Sequence, residues 1–289
     1  MLAREERLIS ANQEDEVREA SSHASPETAG VTMSLPELAA LLGVAIPAEP
    51  RFPDIVFPMR RVKAGEYLYR AGDAFDAVYA VRSGFFKTVC VDRSGAEQVL
   101  AFPMGGDVVG LEGLDPGRYP ADVVALDDSH VAVVSFARLA RLGREHPGLE
   151  RLTYRIFSRE LVREHGMIWL LGTLGAEARV AAFLLDLSVR FGRLGYSRAS
   201  FVLRATRAEI GSYLGVKLET VSRALSGFAA AGLIEVDRRT VTLREPERLR
   251  RIIEPQGAGA ESKRPGVAQS VVSTLSRAVG QRTAFAAAA

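Results

Sequence analysis

TRAEIGSYLGVKLETVSRALSGFAAAG, residues Thr206 to Gly232, is the stretch on which the reading of this chain turns. Thr206 followed three residues later by Glu209 is a capping box, in which each side chain satisfies a free amide of a helix's first turn. Ile210 and Leu214 then lie one turn apart on one face, and Gly215 gives the backbone freedom for a sharp stop. A second periodic run starts near Leu218, with Leu218, Val221, Leu225 and Phe228 as its apolar stripe. Two short helices around a tight turn make a helix-turn-helix. On the second, Glu219, Ser222 and Arg223, spaced i, i+3, i+4, share a different face that points outward.

That face suits the edges of base pairs. An Arg makes bidentate bonds to guanine O6 and N7, a Glu accepts from cytosine N4, and a Ser serves donor or acceptor edges. Taken alone, Glu219 and Arg223 read equally well as an i, i+4 ion pair on a solvated helix, stabilising by about 0.2 to 0.5 kcal/mol. The residues beyond the second helix favour base reading. Gly232 ends that helix, and LIEVDRRTVTL, Leu233 to Leu243, reads as a hairpin turning at Arg238 and Arg239. The sum is a winged helix-turn-helix. The net charge of the chain is only +2, so an electrostatic footprint for nucleic acid must be local. Arg204, Arg207, Lys217, Arg223, Arg238, Arg239 and Arg244 concentrate around this motif, where phosphate contacts supply non-specific affinity.

Leu218-Glu219-Thr220-Val221-Ser222-Arg223 resembles the recognition helix of the CRP/FNR transcription regulators, and Ile210 to Gly215 resembles that family's first helix. The resemblance runs from about Phe57 to Leu243 and is greatest to the FNR-like branch, where an E-x-x-S-R pattern reads a TTGAT-type half-site. The cyclic-AMP receptor branch carries an Arg before its Glu; Leu218 stands there in this chain. The resemblance implies an α+β protein: an N-terminal β-roll (jelly-roll-like) effector domain, a long dimerisation helix and a C-terminal winged helix-turn-helix. It also implies a homodimer on double-stranded DNA, contacting it through Arg207, Lys217, Glu219, Thr220, Ser222 and Arg223, with RNA polymerase as a partner.

Along the chain, residues 1–32 are polar and aperiodic and are expected to be a disordered tail. Met33 opens MSLPELAALLGV, a short helical run, and a translation start at Met33 is an alternative to a functional tail. Residues 33–145 are assigned to the effector-type domain. Within them short apolar segments separated by glycine predict strands at 78–81, 85–91, 99–102, 122–126 and 130–135, as in a sandwich or barrel. Lys63-Ala64-Gly65, Arg70-Ala71-Gly72-Asp73 and Tyr79 to Gly84 resemble the family's β-roll.

Residues 146–175 are assigned to one long helix with two apolar stripes. Leu149, Leu152, Ile156 and Met167 form one. Phe157, Leu161, Glu164, Ile168 and Leu171 alternate spacings of 4 and 3, as a coiled-coil seam does. One stripe can pack on the β-roll and the other on a second copy; the alternative is one buried helix in a monomer. The DNA-binding domain takes 176–250, opening with a helix at 176–191. Residues 251–289 are expected to be a flexible tail in which VAQSVVSTLSRAVGQ forms at most a marginal amphipathic helix.

The chemistry excludes several classes. Gly105 to Gly117 lies where the family's nucleotide-binding branch places its phosphate cassette, and Arg118 is nearby. However, Asp107 replaces the acid and Ala121 follows Pro120 where an Arg is required, so the glycines read as turns. A single cysteine, Cys90, excludes a disulfide within the chain and the cysteine-held iron-sulfur cluster of the FNR branch. Cys90 itself reads as a small buried hydrophobe. Histidines 23, 130, 146 and 165 leave haem as an alternative, although lone histidines are more often ordinary surface or core residues. No cofactor is expected, no effector is identified, and no catalytic motif is present. The competing function is a ligand-binding β-roll sensor with weak or vestigial DNA binding. With neither a signal peptide nor a run of about 20 apolar residues, a cytoplasmic protein without a membrane partner is expected.

Overall fold

The glycine-punctuated apolar runs of the N-terminal half become two antiparallel sheets. The computed structural model describes residues 31–45 and 55–253. Strand β1 (Thr32–Ser34) leads into helix α1 (Leu35–Leu42), followed by β2 (Val56–Val62), β3 (Tyr67–Tyr69), β4 (Ala77–Ser83), β5 (Phe86–Val91), β6 (Glu97–Ala101), β7 (Val108–Val109), β8 (Asp122–Ala125) and β9 (Ser129–Ser135). One sheet has the order β1-β2-β9-β4-β7 and the other β3-β8-β5-β6. They face each other across a core that includes Tyr69, Tyr79, Val81, Phe86, Val123 and Val131. The expected strands are present to within a residue or two. Residues 1–30, and with them nearly all of the expected tail, fall outside the described residues, as does the 267–281 segment. Thr32 is already paired with Pro58, so the sheet begins one residue before the boundary drawn at Met33.

Strand β4 is buried on both faces, which explains its run of apolar residues. Ala77, Tyr79 and Val81 point between the sheets, whereas Val78 and Ala80 point outward beneath a helical layer. That layer comprises α1, α2 (Phe136–Glu145) and the first turns of α3 (Pro147–Thr173), with Leu35, Leu38, Leu142, Leu149 and Leu152 buried. Helix α3 has 27 residues and spans about 40 Å at 1.5 Å per residue.

The C-terminal half continues as α4 (Ala176–Arg193), β10 (Ser200–Val202), α5 (Arg207–Leu214), α6 (Leu218–Ala230), β11 (Ile234–Asp237), β12 (Thr240–Leu243) and α7 (Pro246–Ile253). Strands β10, β12 and β11 form a three-stranded antiparallel wing. Its core is continuous with the outer end of the β-roll: Phe85, Val89, Phe102 and Met104 join Phe183, Leu184, Ile210, Leu214 and Phe228 in one cluster. Helix α7 corrects the expectation of a flexible tail from residue 251. PERLRRII carries Pro and Glu in its first turn and Arg in its last, matching the helix dipole. Leu249 is completely buried, so the domain runs through Ile253.

Candidate nucleic-acid interface

The capping box forms as the sequence requires. Thr206 Oγ1 accepts from the Glu209 amide at 3.2 Å, and the Glu209 carboxylate accepts from the Thr206 amide at 2.7 Å. Gly215 ends α5 with φ +64°, and the Val216 amide then donates back to the Gly211 carbonyl at 2.9 Å. A β-carbon at Gly211 would lie 2.7 Å from the Val216 carbonyl oxygen, so a glycine is what lets α5 approach the turn this closely. Val221, Ala224, Leu225 and Phe228 anchor α6 in the core. Leu218, expected in that stripe, is 45% exposed, because the first turn of α6 projects beyond the edge of the core.

The predicted reading face is open. Arg207, Lys217, Glu219 and Arg223 are exposed, and Thr220 and Ser222 are half-buried between them. Among the described residues no ion pair joins Glu219 to Arg223; the Arg223 guanidinium approaches the Thr220 hydroxyl instead, at 3.5 Å. At the tip of the wing Arg238 adopts φ +52°, and both it and Arg239 are exposed. Two of the clustered arginines are already engaged by acids, Arg204 with Asp127 at 3.0 Å and Arg244 with Glu235, and so are weaker candidates for phosphate.

Helix α5 is docked on the β-roll. Its Ser212 hydroxyl accepts from the Val99 amide at 2.9 Å and donates to the Glu97 carbonyl at 3.3 Å, satisfying the edge strand β6. The Lys87 ammonium bridges Glu97 and Glu209, each at 3.1 Å. Burial opposes the charge on Lys87, but the two carboxylates outweigh it and raise its pKa. Tyr213 packs edge-on against Phe102, with ring centroids 5.1 Å apart, and burial pushes its phenol up to about 12. None of these contacts covers Lys217, Glu219 or Arg223.

A second junction has no counterpart in the sequence reading. Asp107, expected as a substituted acid of a phosphate cassette, accepts from Arg163 of α3 at 3.0 Å, from Arg190 of α4, and from the Met104 amide at 2.8 Å. Burial would raise this carboxyl, but Arg163 and Arg190 outweigh it and bring the pKa below its ordinary value. One carboxylate thus ties the β-roll, the long helix and the DNA-binding module. The signal available in the sequence, an acid in a glycine-rich turn with two arginines over 50 residues away, could not reveal that partnership.

Within the β-roll the space between the sheets is filled by aromatic rings. Tyr69 stacks on Tyr119 with centroids 3.9 Å apart, the Tyr69 hydroxyl donates to Glu112 at 2.9 Å, and the Tyr119 hydroxyl donates to the Ala77 carbonyl at 2.7 Å. Arg118 donates to the Gly72 carbonyl at 2.8 Å. Cys90 is half-exposed on β5, correcting the expectation that it is buried; its neighbour Val89 faces the core. Among the described residues no cluster of His, Cys, Asp and Glu is disposed to hold a metal, and no helix is long and apolar enough to cross a membrane.

On α3 the predicted seam divides. Leu161 is 56% and Ile168 68% exposed, Glu164 is exposed, and Tyr154 beside them is 62% exposed. Phe157 and Leu171 are half-buried. At 100° per residue the exposed stripe centres near Tyr154, Leu161 and Ile168, which leaves Phe157 about 40° and Leu171 about 80° off Leu161, at its margin.

Residues 178–252 match the Crp-like helix-turn-helix domain, and residues 59–146 match the cyclic nucleotide-binding domain. The transcriptional regulatory protein btr of Bordetella pertussis is 42% identical over 212 residues, 73% of this chain and 88% of the relative. The transcriptional activator protein anr of Pseudomonas aeruginosa is 38% identical over 218 residues, covering 75% and 89%. Among solved structures, FixK2 from Bradyrhizobium japonicum superposes with a TM-score of 0.63 at 28% identity, over 70% of this chain and all of FixK2. The chain therefore belongs to the CRP/FNR family of transcriptional regulators, related to its Anr and fumarate and nitrate reduction members but with a single cysteine.

Proposed function

We propose that this chain is a homodimeric transcription regulator that reads a TTGAT-N4-ATCAA-like palindrome through Glu219, Ser222 and Arg223. The observation that carries the reading is the open face of α6: the three side chains lie together, Glu219 and Arg223 are not spent on each other, and the docked β-roll leaves them uncovered. Arg207, Lys217 and Thr220 flank the face and supply backbone contacts, with Arg238 and Arg239 at the wing. The exposed apolar stripe of α3 supports self-association. In this reading Tyr154, Leu161 and Ile168 are buried against a second copy, with Phe157 and Leu171 at the margin and Glu164 beside them, and successive major grooves require the two recognition helices to lie about 34 to 36 Å apart on one face of the duplex. RNA polymerase is the partner such a role requires. Binding of the purified chain to a TTGAT-N4-ATCAA duplex and to a scrambled duplex of the same composition tests the proposal, with sedimentation to establish the dimer. Equal affinity for both would leave a sensor module with vestigial DNA binding.

A further inference from the structure

The helices over the outer face of the five-stranded sheet do not close it completely. Between α1, that face and the start of α3 lies a cavity of about 60 Å³. A single water needs roughly 10 to 15 Å³, and native cores hold few voids larger than that. The wall is almost wholly hydrocarbon: Leu38 and Leu42 from α1, Val134 from β9, and Leu149, Ile156 and Phe157 from α3. The one hydroxyl-bearing residue lining it, Thr153, already donates from Oγ1 to the Leu149 carbonyl at 3.0 Å. Water there would find almost no partners, so the cavity stays dry; an apolar cavity of about 150 Å³ admits benzene or xenon, and this one, at less than half that volume, admits only the smaller kind of guest.

We propose that this cavity is a binding site for a very small apolar molecule, on the scale of a xenon atom or an ethyl group. It is distinct from the space between the sheets, which Tyr69, Tyr79 and Tyr119 occupy. A guest gains the dispersion contacts that the lining atoms now lack. The site also touches the proposed dimer seam. Phe157 lines the cavity and lies one helical turn before Leu161, so a guest that holds Phe157 fixes the margin of the exposed stripe. This link to α3 rests on the dimeric, DNA-binding reading; the binding itself does not.

The test uses the full chain with xenon and ethane as probes. Thermal unfolding should show a saturable rise in Tm, roughly 3 to 6 °C at 10 times Kd, with methyl NMR shifts confined to residues that line the cavity, Leu38, Ala39, Val134, Leu149 and Ile156 among them. Ala39→Leu, at a buried position lining the cavity, should abolish the response while leaving Tm in the absence of probe equal or higher. If that variant does not fold, Leu38→Phe serves the same purpose. Absence of saturable binding to the wild type, or an equal response from the filled variant, would overturn the site. Operator affinity measured on the same samples should change as probe saturates; saturation with unchanged affinity would overturn the link to α3 while the site stands.

Discussion

Neutralising Asp107 removes the one carboxylate that, among the described residues, pairs with both Arg163 and Arg190, leaving the two guanidinium groups only their longer contacts to Glu160 and Asp186 where the β-roll, α3 and α4 meet. Truncating one partner of a buried ion pair costs about 3 to 5 kcal/mol, much of it from the charge left behind. A third of the Arg163 side chain remains open to water, and Arg190 keeps Asp186 at 3.4 Å, so Asp107→Asn belongs at the low end of that range, about 3 kcal/mol. For a chain of this size that corresponds to a Tm lower by roughly 6 to 12 °C. The pH dependence carries the finer test. The folded pKa of Asp107 is depressed, so its contribution is fully present above the unfolded value, near 3.9, and is lost only as pH falls through the lower folded value. The Tm gap between wild type and Asp107→Asn, tracked by calorimetry, should therefore hold from pH 7 to pH 5 and close below about pH 4. Operator affinity should fall with it, since the same carboxylate orients the DNA-binding module. A gap under 2 °C at pH 7, or one that closes between pH 7 and pH 5, would mean that the Asp107 carboxylate does not hold this junction.

Arg223→Ala should lose about 1 to 3 kcal/mol of discrimination at the half-site guanine, whereas Lys217→Ala should weaken specific and random DNA alike and flatten the salt dependence; competition binding at two salt concentrations separates them. Glu164→Ala, at the one acid among the predicted seam residues, should tighten self-association at micromolar concentration in sedimentation, because two copies would meet near the axis. The folded pKa of Glu160 is raised, chiefly by burial, so its ionised form costs stability at neutral pH. Glu160→Gln should raise Tm at pH 7, and the gain should vanish as pH falls below the unfolded value near 4.3. Protein purified in air should bind its operator as well as protein purified without oxygen; recovery of binding only with iron and sulfide would count against a cluster-free regulator.

Local chemistry is legible in the sequence. The Thr206–Glu209 capping box, the left-handed stop at Gly215, the wing turn at Arg238 and the strand runs of the β-roll each arise from a few adjacent residues, and each is present. What the sequence hides is long-range partnership. Asp107 looks like part of a phosphate turn because its partners lie 56 and 83 residues away, at Arg163 and Arg190. Ser212 gives no sign that it closes the edge of β6. A heptad pattern also cannot place the exposed stripe of α3 to within half a turn, so it groups Phe157 with the seam although that ring faces the cavity. Helix α7 escapes a sequence reading for a different reason. Its Pro, Glu and Arg signals are local and readable, but the Gly- and Ala-rich composition of the residues after it overshadows them.

In the proposed function α6 is the element that reads base pairs. Fluorescence anisotropy on a labelled TTGAT-N4-ATCAA duplex, with a scrambled duplex of the same length as competitor, tests it most directly. At physiological salt the palindrome should be preferred by about 10³-fold or more, a preference largely lost in Glu219→Ala and Arg223→Ala. Indistinguishable affinities for the palindrome and the scrambled duplex, both abolished by added salt, would contradict it.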